Sequence, residues 1–403
     1  MAWRQAIVTG LAAGAVLAAA AASLAADYDV GADDERILIG STHPYSGPAS
    51  AYGAIGRAMS AYFDMVNADG GVGGRRIDFV SLDDGYSPPK TVEQVRKLVE
   101  HDRVLMLFGN LGTPTNNAVV KYVNAKGVPH LFLTTGSSHW DQPKARPWSM
   151  GFWPSYFTEG KVYANYILGN HPRAHIAVLY QNDDYGKDYV AGLKAGLGGR
   201  AAEMVVAEAA YEVTDPTVDG LIVQLAGSGA EVLYDISTPK FSAQAIRRAH
   251  DLGWRPLHVI GNGSSSIEAV LKPAGLDKSV GVVTAAYLKD PTDARWRHDA
   301  DVAAWLAWME RYYPDGNTAD MFNVYGYASA YVMAEVLRRC GDELTRTNVL
   351  RQATSLADLE VPMLLPGILV TTGPDDYRPI ERLQPMRFDG ARWQPIGGLV
   401  TAE

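Results

Sequence analysis

The stretch VLMLFGNLGTPTNNAVVKYVNAKGVPHLFLTTGSS, residues 104–138, decides how this chain is expected to fold. It contains two apolar runs, Val104–Phe108 and Val128–Leu133, and each run leads into a short turn rich in Gly, Thr and Ser. The sequence between them predicts a helix over Thr115–Asn124, with Thr113 as its N-cap. A strand, a turn, a helix and a second strand in this order are typical of a parallel α/β sheet.

The two turns, Gly109–Thr113 and Thr134–Ser138, are predicted to lie side by side at the carboxyl edge of that sheet. Backbone N–H groups and helix N-termini meet there, and they suit an anionic or carboxylate-bearing ligand. Capping a helix is the commonest role of a single Thr or Ser, but two matching turns on neighbouring strands favour a pocket. The candidate binding residues in these turns are Leu111, Gly112, Thr113, Ser137 and Ser138.

Residues Met1–Ala26 are predicted to be a secretory signal peptide. Arg4 supplies the positive charge, Leu11–Ala22 is apolar, and Ser23–Ala25 has the small residues of a cleavage site. The apolar run is shorter than the roughly 20 residues that a membrane-spanning helix needs. No Cys follows it, so a lipoprotein is not expected. The mature chain is therefore predicted to be soluble and located in the periplasm.

The composition is that of a globular protein, with 47% hydrophobic and 20% charged residues. The net charge of −9 becomes −10 when Arg4 is removed with the signal peptide, which argues against binding to nucleic acid or to an anionic membrane. Cys340 is the single cysteine, so an internal disulfide and a thiolate metal site are excluded. A chain of 403 residues predicts about two domains.

The alternation of strands and helices runs along the rest of the chain, and a second lobe is predicted to begin near residues 149–155. A glycine cluster at residues 70–74 follows a helix and precedes a strand, so it is interpreted as a turn and not as a phosphate-binding loop. The predicted fold is α/β, with two doubly wound parallel-sheet lobes facing each other across a cleft. The second-lobe strands are predicted at Ile176–Tyr180, Met204–Ala207, Val232–Ile236 and Leu257–Gly261.

Several short motifs occur in an order that resembles one protein family. They are Ile37–Gly40, Tyr45–Pro48, Tyr52–Gly53, Asn67–Arg75, Asp83–Asp84, Asp184–Gly186, Ile246–Ala249 and Gly281–Thr284. Together they resemble the type I periplasmic binding proteins, and within these the leucine/isoleucine/valine-binding branch that serves ABC importers. The similarity covers the chain from about Arg36 to about Trp393.

The resemblance implies two lobes joined by three crossover segments, near Met150–Ser155, Val282–Tyr287 and Gly367–Thr371. It implies that a small solute binds between the lobes, that the lobes close like a hinge, and that permease subunits in the inner membrane receive the solute. The expected division of the chain is a signal peptide at 1–26, lobe 1 at 35–152 and 285–367, lobe 2 at 153–284, and a lobe 2 edge with the C-terminal tail at 368–403.

Binding positions carried over from the family are Tyr52 as an aromatic from the first loop, Leu111 and Thr113 with Ser137 and Ser138 around a carboxylate, and Tyr185 as the lobe 2 aromatic. The chain also departs from the family. An acid is expected after the strand Leu257–Gly261, where this chain has Asn262 and no acid before Glu268.

Without that acid, a ligand ammonium would lose a charge-assisted bond of ~1.5–3 kcal/mol, unless Asp235 takes this role. Asp235 and Asn262 are therefore included among the candidate ligand-binding residues. Four further side chains were predicted either to line an aromatic-accepting cleft or to pack between the lobes, namely His139, Trp140, Phe152 and Trp153.

The sequence thus predicts a non-enzymatic solute-binding protein that needs no cofactor and no metal. No His-Glu-x-x-His motif, nucleophile elbow or phosphate loop is present. The expected ligand is a branched-chain amino acid from the family, or an aromatic or other organic acid from the departures. The alternatives are a ligand-sensing module for a signalling partner and, more remotely, a hydrolase-like enzyme.

Overall fold

The computed structural model describes residues 26–401, so the predicted signal peptide lies, except for Ala26, outside the described residues. The strands are β1 (Asp27–Tyr28), β2 (Arg36–His43), β3 (Arg76–Asp83), β4 (Met106–Phe108), β5 (His130–Leu133), β6 (Ser149–Gly151), β7 (Ile176–Gln181), β8 (Val205–Tyr211), β9 (Val232–Ile236), β10 (Leu257–Ile260), β11 (Val283–Ala286), β12 (Glu343–Leu344), β13 (Arg382–Phe388), β14 (Trp393–Pro395) and β15 (Val400–Thr401).

The helices are α1 (Gly53–Ala68), α2 (Pro88–Arg96), α3 (Thr113–Ala125), α4 (Tyr156–Asn170), α5 (Asp184–Leu197), α6 (Ala201–Met204), α7 (Asp219–Ala226), α8 (Pro239–Asp251), α9 (Lys272–Ala274), α10 (Ala300–Tyr312), α11 (Met321–Cys340) and α12 (Arg346–Ala353). Short 3₁₀ or π turns occur beside several of them. Within residues 26–401, no helix is both long and apolar enough to span a membrane.

Lobe 1 is built on a parallel sheet that, in the described residues, has five strands in the order β3-β2-β4-β5-β6. The chain moves outward in one direction from β2 to β3 and then in the other direction from β4 to β6. β4 and β5 are fully buried because helices cover both faces of the sheet, which is why both read as continuous apolar runs. The strand order reverses between β2 and β4, where open α/β sheets bind ligands.

Lobe 2 repeats this plan with the order β8-β7-β9-β10-β11, and the order reverses between β7 and β9. β13 and β14 extend this sheet as antiparallel strands, and both lie in residues 368–403, the segment expected to form an edge of lobe 2. The helices α4 and α5 are in close contact at Gly192. A Cβ at this position would lie only 2.2 Å from the carbonyl oxygen of Phe157, so a side chain does not fit there. A larger residue there would force the two helices apart.

Three segments connect the lobes. The first leaves β6 and enters α4 through residues 152–155. The second follows β11 and runs antiparallel to the third, since the amide of Leu365 donates to the carbonyl of Tyr287 (2.9 Å) and the amide of Lys289 donates to Met363 (2.8 Å). The part of the third segment that pairs with the second is therefore residues 363–365, which precede the crossover predicted at Gly367–Thr371. The residue numbers at which one lobe ends and the other begins, 152/153, 284/285 and 367/368, stay a prediction.

Candidate functional site

A cavity lies between the lobes, at the carboxyl ends of both sheets, with about 330 Å³ of space not filled by atoms, including its mouth. We call it the front chamber. Four of the predicted site residues line it together: Tyr52, Leu111 and Gly112 from lobe 1 and Tyr185 from lobe 2. Its other lining residues are Tyr86, Thr134, Trp153, Tyr156, Thr238 and Gly263. Sequence reasoning missed most of these, because a Tyr or Thr beside a turn carries no signal that distinguishes a cavity wall from ordinary packing.

The turn before α3 is rigid. Gly112 has a φ of 102°, and a Cβ there would lie 2.6 Å from the ring of Tyr86 and from Oγ1 of Thr115. The side chain of Asn116 donates to the Gly112 carbonyl (2.6 Å), and the hydroxyl of Thr115 donates to the carbonyl of Leu111. Only glycine fits this position, and the turn presents its backbone to the cavity without a side chain in the way.

The prediction that Thr113 is the N-cap of α3 is wrong, because the helix begins at Thr113 and Gly112 precedes it. Thr113 is buried, and its hydroxyl is hydrogen-bonded to the hydroxyl of Thr135 (2.7 Å). The two predicted turns are therefore joined to each other by a hydroxyl pair directly behind the cavity wall.

Ser137 and Ser138 do not line the front chamber. The backbone N–H of Ser138 donates to Asp188 Oδ2 (2.7 Å), and its hydroxyl donates to Oδ1 of the same carboxylate (2.8 Å). Asp188 belongs to α5 of lobe 2, so the turn predicted to hold a ligand carboxylate holds a protein carboxylate instead. Ser137 is buried and accepts a bond from the amide of His139 (3.4 Å).

Asp235 and Asn262 also lie outside the front chamber. Asp235 is 0% exposed, and its Oδ2 lies 3.0 Å from Nε2 of His258. Asn262 donates its side-chain amide to the carbonyl of Ala285 (2.5 Å) and lines a second cavity described below. Neither side chain is placed to pair with an ammonium in the front chamber.

A buried acid that the sequence did not single out lies under the loop after β10. Glu159 accepts hydrogen bonds from the hydroxyls of Tyr163 (2.5 Å) and Tyr189 (2.7 Å) and from the amide of Asn262 (2.7 Å). Burial raises the pKa of Glu159 to about 7, against the lowering effect of these bonds. This acid fixes the position of the Asn262 loop from within lobe 2.

The front chamber is polar but carries no full charge. In the part of the chain that the structure describes, its lining residues include no Asp, Glu, Lys, Arg or His. Burial raises the pKa of Tyr52, Tyr86 and Tyr185 well above the ordinary value, so these phenols stay neutral hydrogen-bonding groups.

Two helices begin at the front chamber without a side-chain cap, α3 after Gly112 and α8 after Thr238. A third, α5, also begins there, but the carboxylate of Asp183 caps it by accepting from the amides of Tyr185 and Gly186. Helix N-termini concentrate partial positive charge and unpaired N–H groups. The arrangement can therefore stabilise a carboxylate without any basic side chain.

The lobes are in direct contact around the cavity. The hydroxyl of Tyr52 donates to the carbonyl of Gly263 (3.1 Å), and the side-chain amide of Asn117 donates to Asp184 (2.7 Å). Ser266 Oγ donates to Asp320 (3.1 Å) on the other side. Together with the bonds between Ser138 and Asp188, these contacts join the two lobes near the chamber.

His139, Trp140, Phe152 and Trp153 were predicted either to line the cleft or to pack between the lobes. One of the four lines the cavity, and the other three do not. Trp153 lines the front chamber. Trp140 is buried and donates Nε1 to the hydroxyl of Thr135 (3.2 Å), and Phe152 packs against Phe132 with ring centroids 5.7 Å apart. His139 is partly buried near Asp184 (3.6 Å). The crossover tryptophan is thus a cavity residue, Trp140 and Phe152 pack inside lobe 1, and His139 lies at the contact with lobe 2.

The chain matches the periplasmic binding protein family over residues 36–392. An amino acid binding protein of Pseudomonas aeruginosa is 22% identical over 76% of this chain and 79% of that protein. A Leu/Ile/Val-binding protein homolog 7 of Brucella abortus is 25% identical over 64% of this chain, and the match spans 65% of that relative's length.

Two solved structures share the fold. A branched-chain amino acid ABC transporter protein of Thermus thermophilus with bound valine gives a TM-score of 0.80 at 16% identity, covering 91% of this chain and 97% of that one. A solute-binding protein of R. palustris in complex with benzoate gives 0.76 at 18% identity, covering 91% and 98%. These matches confirm the predicted fold class.

Proposed function

This chain belongs to the periplasmic binding protein family, whose members bind solutes and are not enzymes, and from that premise we propose that it is the solute-binding component of an ABC importer. It binds a small carboxylate-bearing solute between its lobes in the periplasm and delivers it to permease subunits in the inner membrane. The resemblance to the leucine/isoleucine/valine-binding branch is confirmed by the relatives and the solved structures.

The observation that carries this proposal is the position of the front chamber. It lies at the strand-order reversal of both sheets, and residues of both lobes form its walls. A solute held there would bridge the lobes and favour their contact, since it interacts fully only when both walls are present. The uncapped N-termini of α3 and α8 supply a site for its carboxylate.

The ligand class follows from the charges around the chamber. A branched-chain amino acid is the ligand expected from the family, as with the valine bound by the Thermus relative. In the described part of this chain, however, the front chamber has no carboxylate to pair with an ammonium. We therefore favour an organic acid without an ammonium group, in line with the benzoate bound by the R. palustris relative.

The test is a thermal-shift and calorimetric screen of residues 27–403 against branched-chain amino acids, aromatic acids and short aliphatic acids. A ligand at 100 times its dissociation constant adds ~2.7 kcal/mol to the free energy of unfolding, so a true ligand gives a clear shift. Stabilisation by organic acids alone supports the proposal as stated. Tightest binding of leucine or valine would overturn the ligand class, and no stabilisation by any carboxylate would overturn the proposed function.

A further inference from the structure

A second cavity adjoins the front chamber at the crossover segments. It contains about 610 Å³ of space not filled by atoms, including its mouth. All three crossovers contribute to it, through Trp153, Tyr287 and Leu365, and the first turns of α11 close it with Phe322 and Tyr325. We call it the rear chamber.

The walls of the rear chamber are mainly aromatic and apolar. Besides the five residues just named, Trp296, Met321, Met386 and Trp393 line it. Its charged side chains are already engaged. Arg295 pairs with Asp293 (2.6 Å), and Asp290 accepts a hydrogen bond from the hydroxyl of Thr292 (2.7 Å). The aromatic and apolar part of this lining suits an uncharged, ring-shaped group.

Three buried polar atoms on rear-chamber residues have no hydrogen-bond partner within residues 26–401, and one of them, the hydroxyl of Tyr325, lies beside Thr134 of the front chamber. The indole Nε1 of Trp153 and the hydroxyl of Tyr287 are buried and make no hydrogen bond within residues 26–401. A buried donor without an acceptor costs about 1–3 kcal/mol, and such groups are rare in native proteins. Both groups lie on residues that line the rear chamber, so acceptor atoms of a ligand held there would supply the partners that these donors lack.

The two chambers share a wall. Trp153 lines both of them, and Tyr52 of the front chamber packs on Phe322 of the rear chamber with ring centroids 5.0 Å apart. The hydroxyl of Tyr325, a rear-chamber residue, lies beside Thr134 of the front chamber but forms no hydrogen bond of good geometry. A small shift of these side chains would join the two spaces.

We propose that the rear chamber is the specificity pocket for an aryl acid whose carboxylate occupies the front chamber and whose ring, with a hydrogen-bond acceptor, extends past Trp153 to Tyr287. This inference rests on the proposed function, because it assigns the chemical class of the ligand for the same cleft. The ring gains contact with the aromatic walls, and its acceptor supplies a partner to the unpaired donors.

The first experiment compares three acids by calorimetry on the wild-type protein: propanoate, 3-phenylpropanoate and 3-(4-hydroxyphenyl)propanoate. The expected affinities increase in that order, with at least a tenfold gain from the ring and a further severalfold gain from its hydroxyl. Binding should also change the tryptophan fluorescence, since Trp153, Trp296 and Trp393 line the chamber.

The second experiment uses variants that alter only the rear chamber. Ala286→Leu fills it from β11 and should reduce the affinity for both aryl acids at least tenfold while leaving propanoate binding unchanged. Met386→Trp fills it from the neighbouring strand β13 and replaces the first variant if that variant does not fold. Tyr287→Phe should abolish only the advantage of the ring hydroxyl, and Tyr331→Phe, whose side chain does not line either chamber, is the matched control.

The outcomes separate this inference from the function on which it rests. Equal affinity for all three acids, or aryl-acid binding that is unaffected by Ala286→Leu and Met386→Trp, overturns the rear chamber as a specificity pocket and leaves the proposed function standing. Failure of all three acids to bind overturns this inference, and it overturns the proposed function as well only if no carboxylate of the wider screen stabilises the protein.

Discussion

The hydroxyl of Tyr52 in lobe 1 donates a hydrogen bond to the carbonyl of Gly263 in lobe 2, across a distance of 3.1 Å. Both residues line the front chamber, and a Cβ on Gly263 would lie 3.3 Å from that hydroxyl. The lobes therefore meet here at a point where one side supplies a polar hydroxyl and the other supplies no side chain. Closure of the lobes and enclosure of the ligand depend on the same pair.

Tyr52→Phe should weaken ligand binding with little effect on the folding of either lobe. The variant loses one neutral hydrogen bond of ~1 kcal/mol, which corresponds to about fivefold in the dissociation constant measured by calorimetry. The matched control is Tyr234→Phe, which removes a similar bond to the carbonyl of Tyr189 inside lobe 2. The control should lower the unfolding temperature and leave the dissociation constant unchanged; the reverse pattern would contradict this role for Tyr52.

Gly263→Leu should hold the lobes apart. The backbone of Gly263 has a conformation that any residue adopts, so the variant folds. The new leucine side chain, however, would clash with Tyr52 and Trp153 when the lobes are closed. We expect ligand affinity to fall at least tenfold and the radius of gyration measured by X-ray scattering to stay large when ligand is added. Gly169→Leu, at a position with open space around it, is the control. A Gly263→Leu protein that contracts on ligand addition like the wild type would refute the prediction.

Asp188→Ala should also weaken closure, because it removes the acceptor of both bonds from Ser138. Bonds to a carboxylate contribute ~1.5–3 kcal/mol when buried, and burial is the first cause that raises the pKa of Asp188. The expected result is at least a tenfold loss of ligand affinity, with a smaller loss for Asp188→Asn, which keeps one acceptor. The neighbouring exposed variant Lys187→Ala should behave as wild type. An unchanged affinity for Asp188→Ala would show that this contact does not contribute to closure.

Glu159→Gln should remove a pH-dependent loss of stability. The folded-state pKa of about 7 lies above the ordinary value of 4.5, so the folded protein binds this proton more tightly than the unfolded chain does. This group therefore lowers the free energy of unfolding as the pH rises from about 4.5 to about 7, by on the order of 2–3 kcal/mol at the upper end.

Urea denaturation at pH 5 and pH 8 measures this effect as the difference between the Glu159→Gln variant and the wild type. The variant should gain stability relative to the wild type as the pH increases. A difference between the two proteins that is constant across this range would contradict the raised pKa of Glu159.

The sequence by itself determined the two-lobed architecture, and the reason is local. Strands such as β4 and β5 must be apolar throughout because they are covered on both faces, and glycine must precede α3 because no other residue fits the turn. These requirements act within a few residues, so Val104–Ser138 was sufficient to predict a parallel α/β sheet.

The partners of the site residues were decided only by the tertiary structure. Ser138 was predicted from its turn to hold a ligand carboxylate, but it holds Asp188, which is 50 residues away on the other lobe. Asp235 was a candidate acid for the cleft, but β9 directs it to His258. Trp153 and Tyr287 lie 134 positions apart and become neighbours in one cavity only because the crossover segments meet. Such contacts depend on how two separately folded lobes face each other, and no local pattern in the sequence records that arrangement.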